Sequence, residues 1–181
     1  MELKGERLRL REFHPADLVQ TRKWVADPEI ARWILPAWPL LPSSWEEWLR
    51  RIYSSPDARH FAIVLLDGRH IGNVSLHSIR WEEKVAELGI VIGEKDCWGK
   101  GYGPEALRLL LSYAFWELGL ARIVLHVHRR NHRAIRAYKK VGFVEVPEPW
   151  LFKLLRPWND GEILTMTVEA ESWVGTPMRS S

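Results

Sequence analysis

The residues best suited to chemistry are Cys97-Trp98-Gly99-Lys100-Gly101-Tyr102-Gly103-Pro104-Glu105-Ala106, a glycine-rich loop running from an apolar segment into a helical pattern. Such a loop suits an anion. Glycines admit positive φ and let a ligand approach the backbone, while free N–H groups at a helix N-terminus favour a phosphate by hydrogen bonding and through the helix dipole. Pro104 suits a first helical turn, where its missing N–H loses no partner. Two common phosphate loops do not fit. A Walker A loop fails because Gly93 is one residue too far from Gly99-Lys100, and Gly101 stands where Ser or Thr must bind magnesium. Gly101-x-Gly103-x-x-Ala106 matches a dinucleotide fingerprint on paper, but the strand before it ends several residues earlier. The next strand ends in His126 and His128, with no acid for a ribose.

Other reactive side chains are sparser. His126 and His128 lie two apart on one strand face, compatible with a metal pair, yet no further ligands stand at recognisable spacing; no metal is expected, and a polar strand face or cleft lining are the alternatives. Cys97 is the single cysteine, which excludes internal disulfides and cysteine-rich zinc sites and fits a reducing compartment. Without an adjacent partner to lower its pKa it reads as an inert loop thiol.

These residues must be positioned by a mixed set of elements. Leu8 and Leu10 alternate with Arg7, Arg9 and Arg11 as in a strand, and Pro15 opens a helical pattern through Leu18, Val19, Arg22, Trp24 and Val25 that Pro28 ends or bends. Pro36 to Pro42 reads as a packed, irregular loop. Ser44 and Glu47 form a capping-box pattern before an amphipathic helix with Trp45, Trp48, Leu49 and Ile52. Phe61 to Leu66, the Asp67-Gly68 turn and Arg69 to Ile79 predict a hairpin with Ile71 and Val74 in the core, followed by a strand from Val85 to Gly93. From Pro104 to Leu118 the period is helical, with Leu107, Leu110, Leu111, Ala114, Phe115 and Leu118 on one face and Gly119 at the end. A strand from Arg122 to His128, a helix from about His132 to Lys140, a strand from Phe143 to Val146, and an antiparallel pair, Leu151 to Leu155 and Glu162 to Glu169, complete the chain.

The 181 residues, 46% of them hydrophobic, suffice for one domain spanning 1–181 with a real core. A net charge of +3 is no surplus for phosphate-backbone binding, so nucleic acid is not an expected partner. No apolar run approaches the roughly 20 residues needed to span a bilayer, and the N-terminus lacks an export pattern. A soluble, cytoplasmic protein without a membrane partner is expected. The 11 Trp are many, and a Trp-rich surface is compatible with a homodimer.

Gly101 and Gly103 fill the small positions of the coenzyme A pyrophosphate loop of the GNAT N-acetyltransferase superfamily, which the segment resembles; Trp98 stands where that family most often has Gln or Arg. The Trp-Gly-Lys-Gly-Tyr form is similar to the branch that includes ribosomal-protein alanine N-acetyltransferases. A second block, Asn131-His132-Arg133-Ala134-Ile135-Arg136-Ala137-Tyr138-Lys139-Lys140-Val141-Gly142-Phe143, resembles the family's Asn, Ala, Tyr, Lys, Gly-Phe helix. The resemblance implies a mixed α/β (α+β) GNAT fold: a mostly antiparallel sheet of about seven strands, about four flanking helices, and a splayed parallel strand pair forming the coenzyme cleft.

It also implies roles. Acetyl-coenzyme A, a co-substrate, would pair its pantetheine arm with Ile90, Val91 and Ile92 and rest its diphosphate on Trp98, Gly99, Lys100, Gly101, Tyr102, Gly103 and Pro104, with Asn131, Ala134 and Tyr138 alongside. Tyr138 matches the general acid near the coenzyme sulfur, the alternative being a packing or orienting hydroxyl; Asn131 is otherwise an ordinary helix cap. Glu87 is the candidate base, directly or through water, or else a salt-bridged strand residue. Trp33, Trp38, Trp45 and Trp48 fall where the family builds one acceptor wall, with Trp150 and Trp158 near the other, and His126 and His128 are candidates for lining the cleft. The implied activity is acetyl transfer to a small-molecule amine or a protein N-terminus. Polyamine or aminoglycoside acetylation and a non-catalytic acyl-coenzyme A-binding module are the alternatives.

Overall fold

The computed structural model describes residues 1–34, 45–147 and 161–175. Eight strands form one sheet: β1 (Glu2–Lys4), β2 (Leu8–Glu12), β3 (Arg59–Leu65), β4 (His70–Arg80), β5 (Val85–Ile92), β6 (Arg122–His128), β7 (Val144–Val146) and β8 (Ile163–Glu169), in the order β1-β2-β3-β4-β5-β6-β8-β7. Every neighbouring pair is antiparallel except β5 and β6. The helices are α1 (Leu18–Ala26), α2 (Pro28–Ala31), α3 (Trp45–Ser54), α4 (Tyr102–Ser112) and α5 (His132–Lys140). The mixed architecture is the expected one, with eight strands and five α-helices among the described residues. The additions are short: β1 has three residues, too few for a period, and α2 is a single turn that Pro28 starts and the Asp27 side chain caps through the Glu29 N–H (3.0 Å). The predicted strand Leu151 to Leu155 and the cap Ser44 lie outside the described residues.

Strand alternation sorts the sheet into two unlike faces. Phe61, Ile63, Val74, Leu76, Leu88, Ile123, Leu125 and Met166 point one way and are buried in one cluster with Leu107, Leu110 and Leu111 of α4 and Tyr138 of α5. The residues between them, His60, Asn73, Ser75, His77, Glu87, His126 and Thr165, point the other way. α1 attaches on that side: the Asn73 side-chain amide donates to Thr21 Oγ1 (2.9 Å). α4 starts two residues before the predicted Pro104, and the residues that follow it, Tyr113–Glu117, widen into a π turn before Gly119 (φ +67°) ends the run.

Pairing between β5 and β6 runs only from Val85↔Arg122 to Glu87↔Val124. Beyond it β5 stays bonded to β4 up to Gly72↔Ile92, and β6 stays bonded to β8 up to His128↔Ile163, so each strand follows its outer neighbour and a gap opens. Gly93 closes one end of this region by close approach: a Cβ there would lie 2.0 Å from the Trp24 ring. Gly93→Ala should therefore displace Trp24 and destabilise the fold by about 1–3 kcal/mol. Urea unfolding followed by Trp fluorescence measures both effects; an unchanged midpoint would refute the contact.

Candidate active site

A cavity of about 560 Å³ occupies the gap and reaches both faces of the sheet. On the core face it is walled by Trp98, Gly99, Gly101, Tyr102, Gly103 and Pro104, by Ile90 to Ile92, and by Asn131, Ala134 and Tyr138 of α5. On the opposite face it reaches Glu87, His126 and Trp33. The two sequence blocks and the acidic candidate are thus brought to one space. Lys100 and His128 do not line it. The Lys100 carbonyl is held from outside, and His128 lies at the rim, its ring edge-on to Trp33 at 5.7 Å, its Nδ1 accepting the Arg130 N–H (3.2 Å). Trp38, Trp150 and Trp158 lie outside the described residues, as do the side chains of Trp45 and Trp48.

The loop has the properties of an anion cradle. Gly99 (φ +71°) and Gly101 (φ +84°) adopt left-handed backbone that other residues reach only with strain. In consequence the amide N–H groups of Gly99, Lys100, Gly101, Tyr102 and Gly103 donate to no intramolecular partner among the described residues, and hydrogen bonding resumes at the Glu105 N–H, which donates to Gly101 O (3.2 Å). Such a run of free donors at the start of an eleven-residue helix attracts negative charge. Arg7 braces the turn from β2's side: its Nη1 donates to Lys100 O, and its Nε and backbone N–H both donate to the Glu105 carboxylate, each at 2.8 Å. Trp98 is itself fixed. Its indole N–H donates to Ile92 O (2.7 Å), and the Arg133 guanidinium stacks on its ring at 3.5 Å.

The strand edge along the gap is also defined. The Gly93 N–H donates to Ile71 O (2.9 Å), so residues in phase with Gly93 turn their backbone groups to β4 and those in the other phase, Ile90 and Ile92, turn theirs to the gap. Ile92 O is already taken by Trp98; the Ile90 backbone is left facing the cavity. Asn131 caps α5 by accepting the Ala134 N–H at Oδ1 (3.3 Å), while its Nδ2 donors have no partner among the described residues. Tyr138 is 7% exposed, packs edge-on against Phe143 at 5.9 Å, and burial pushes its hydroxyl well above the ordinary phenol range.

Four cavity-lining residues on the second face escaped sequence reasoning: His60, Asn73, Ser75 and His77. The signal was present, since Ser75 and His77 stand at alternate positions of a strand whose other positions are apolar, but polarity on a strand face is ordinary until the cavity above it is seen. His77 lies opposite Glu87 in register, Nδ1 to Oε2 being 3.9 Å, beside a register shift at which Ser78 takes φ 50°. Arg7 and Arg133 were missed as well, because their partners are distant in sequence. Cys97 is buried, and that burial raises its thiol pKa, consistent with an unreactive loop residue. His126 Nδ1 lies 3.1 Å from Thr165 Oγ1, and among the described residues no group of three or more His, Cys, Asp or Glu is placed to hold a metal.

Comparison with known proteins identifies the architecture. Residues 7–144 match the acetyltransferase (GNAT) domain family. An N-acetyltransferase 9-like protein of Caenorhabditis briggsae is 28% identical over 176 residues, covering 91% of this chain and 88% of that one. Spermidine N(1)-acetyltransferase of Escherichia coli K12 is 36% identical over 81 residues, 45% of this chain and 43% of that protein. Among solved structures, spermidine N-acetyltransferase from Vibrio cholerae, in complex with CoA and spermine, superposes with a TM-score of 0.77 at 24% identity, over 94% of this chain and 100% of that one. The chain belongs to the GNAT acetyltransferase family and is an acetyl-coenzyme A-dependent N-acetyltransferase. No helix among the described residues is long and apolar enough to cross a membrane.

The buried second face carries a pH signature. Burial, with His77 as a lesser cause, holds the His60 imidazole down at about 4 from an ordinary 6.5. Between these values the unfolded chain binds the proton that the folded one refuses, so this contribution to stability is complete above about 6.5 and is lost as pH falls toward 4. His60→Gln should flatten the fall in unfolding free energy across that window by up to about 3 kcal/mol. Parallel pH profiles for the two proteins would contradict the assignment.

Proposed function

We propose that the chain transfers the acetyl group of acetyl-coenzyme A directly to an amine, both held in the cavity between β5 and β6. The observation that carries this reading is the convergence of unpartnered loop amides, a buried tyrosine and a carboxylate on one gap. The amides of Gly99 to Gly103 and the start of α4 hold the diphosphate, Arg133 adds a cation from above Trp98, and Asn131 Nδ2 and the Ile90 backbone hold the pantetheine arm as an added strand. Pro104 and Ala134 shape the wall, Val91 keeps β5 bonded to β4, and Ile92 anchors Trp98. Lys100 contributes its amide, not its side chain.

The Ile90 N–H is placed to donate to the thioester carbonyl, where one fixed donor is worth about 3 kcal/mol. An ammonium ion cannot attack, so Glu87, on the opposite face, takes its proton directly or through water. As nitrogen bonds to the carbonyl carbon the carbon–sulfur bond breaks, the remaining nitrogen proton leaves to solvent, and Tyr138 gives its hydroxyl proton to the departing sulfur. The raised pKa keeps Tyr138 protonated at neutrality, as a proton donor must be, and solvent reprotonates it. Trp33 and His126 line the acceptor side; His128 supports Trp33 at the rim.

The finer placement, in the branch with ribosomal-protein alanine N-acetyltransferases, rests on the loop Trp98 to Tyr102, which concerns the coenzyme and not the acceptor. A cytoplasmic setting fits the single buried Cys97. Self-association fits a family in which spermidine N-acetyltransferase from Vibrio cholerae is described as dodecameric.

Tyr138→Phe should lower kcat by about 100-fold, with little change in acetyl-coenzyme A affinity; full activity removes the acid from the mechanism. Arg133→Ala should weaken coenzyme A binding by about tenfold while leaving acetyl-pantetheine, which lacks the diphosphate, unaffected. Calorimetry with both ligands decides it. Tight coenzyme binding without thiol release on any amine would reduce the chain to a binding module.

A further inference from the structure

Ser75 stands out on the acceptor face. It is 3% exposed, it lines the cavity, and its Oγ has no hydrogen-bond partner among the described residues. A buried hydroxyl without a partner is costly, and on a cavity floor the cost is removed by a ligand. Ser75 pairs with Gly89 in register, so no side chain from β5 stands opposite it, and Glu87 is its diagonal neighbour on the same face. Diagonal neighbours sit about 7–8 Å apart at the backbone, close enough for one ammonium group to touch both side chains.

Charge around this pair is limited. Glu87 is the one carboxylate lining the cavity among the described residues, and residues 35–44 carry no acid in sequence; 148–160 hold Glu148 and Asp160 against Lys153 and Arg156. The full cations on the wall, Arg133, Arg136 and Lys140, all belong to α5. His60, opposite Ser75 on β3, and His77, two residues along Ser75's own strand, are both shifted by burial toward the neutral form. Beyond the pair, the wall toward α1 and α2 is formed mainly by Phe13, Trp24, Val25, Ile30, Trp33 and Ile34; its polar members Thr21 and Asn73 are neutral and bonded to each other. A second ammonium on the same molecule would be buried there without a counter-charge.

Building on the acetyltransferase reading, we infer that Glu87 and Ser75 form a one-cation clamp and that the acceptor is a small monoamine whose amine is carried on an apolar, aromatic-sized body, not a polyamine. Glu87 accepts from the ammonium and then takes its proton, Ser75 Oγ accepts a second N–H, and the apolar body lies against Trp24 and Trp33.

The test uses the whole chain with 2-phenylethylamine, spermidine and an Ala-initiated peptide as acceptors. Thiol release gives kcat/KM, and calorimetry on the coenzyme A-loaded protein gives amine affinity independently of turnover. Expected is at least a tenfold advantage of 2-phenylethylamine over the other two in kcat/KM, with affinity in the same order. Ser75→Ala should raise its KM about fivefold with kcat less affected, and Ser75→Thr should restore it. Equal or better use of spermidine or of the peptide overturns the inference, as does failure of 2-phenylethylamine to bind the coenzyme-loaded protein. An unchanged KM in Ser75→Ala overturns the clamp. Failure of coenzyme A itself to bind would instead sink the acetyltransferase reading, and a first titration with coenzyme alone separates the two.

Discussion

The divergence of β5 from β6 after Glu87↔Val124 is the constraint from which the site follows. Two parallel strands that stop pairing leave unsatisfied backbone groups on both edges, an arrangement that persists only if something else meets them. Here Trp98 meets the Ile92 carbonyl, and the Ile90 backbone is left facing the gap. The gap is held open from outside, since β4 and β8 keep hold of their partners to the last residue. A ligand that enters completes the sheet and need not distort it.

The loop is positioned by the same logic. Left-handed glycines release a run of amides, and the Arg7 brace fixes the outer side of the turn, so the inner side is presented to the gap. Arg7 binds Lys100 and Glu105 together and lays its guanidinium near the Tyr102 ring at 4.8 Å. The glycine loop is therefore anchored to the first strands of the chain as much as to its own helix.

Much of this was legible in sequence where the signal was local. The helical period from Leu107 to Ala114, the glycine spacing and the Asn131 to Phe143 block each concern neighbouring residues, and each placed its element within a few positions. What was not legible required register. That Ser75, Glu87 and His77 share a floor depends on β4 meeting β5 at His77↔Glu87, and a shift of one residue would separate them. Arg7 to Lys100 and Arg133 to Trp98 are likewise pairings across the fold, for which neither composition nor period gives a sign. Short elements such as β1 and α2 fall below the length at which periodicity speaks.

The alternation of β4 and β5 has an evolutionary meaning. Even and odd residues of the same strands serve different masters: Val74, Leu76 and Leu88 hold the fold together, whereas Ser75, His77 and Glu87 face the cavity from the other side. On the proposed reading, a change at Ser75 alters what is recognised while the core contacts of Val74, Leu76 and Leu88 stay in place. On that reading a lineage can explore new acceptors from one side of two strands while the glycine loop, on the reverse side, stays as it was.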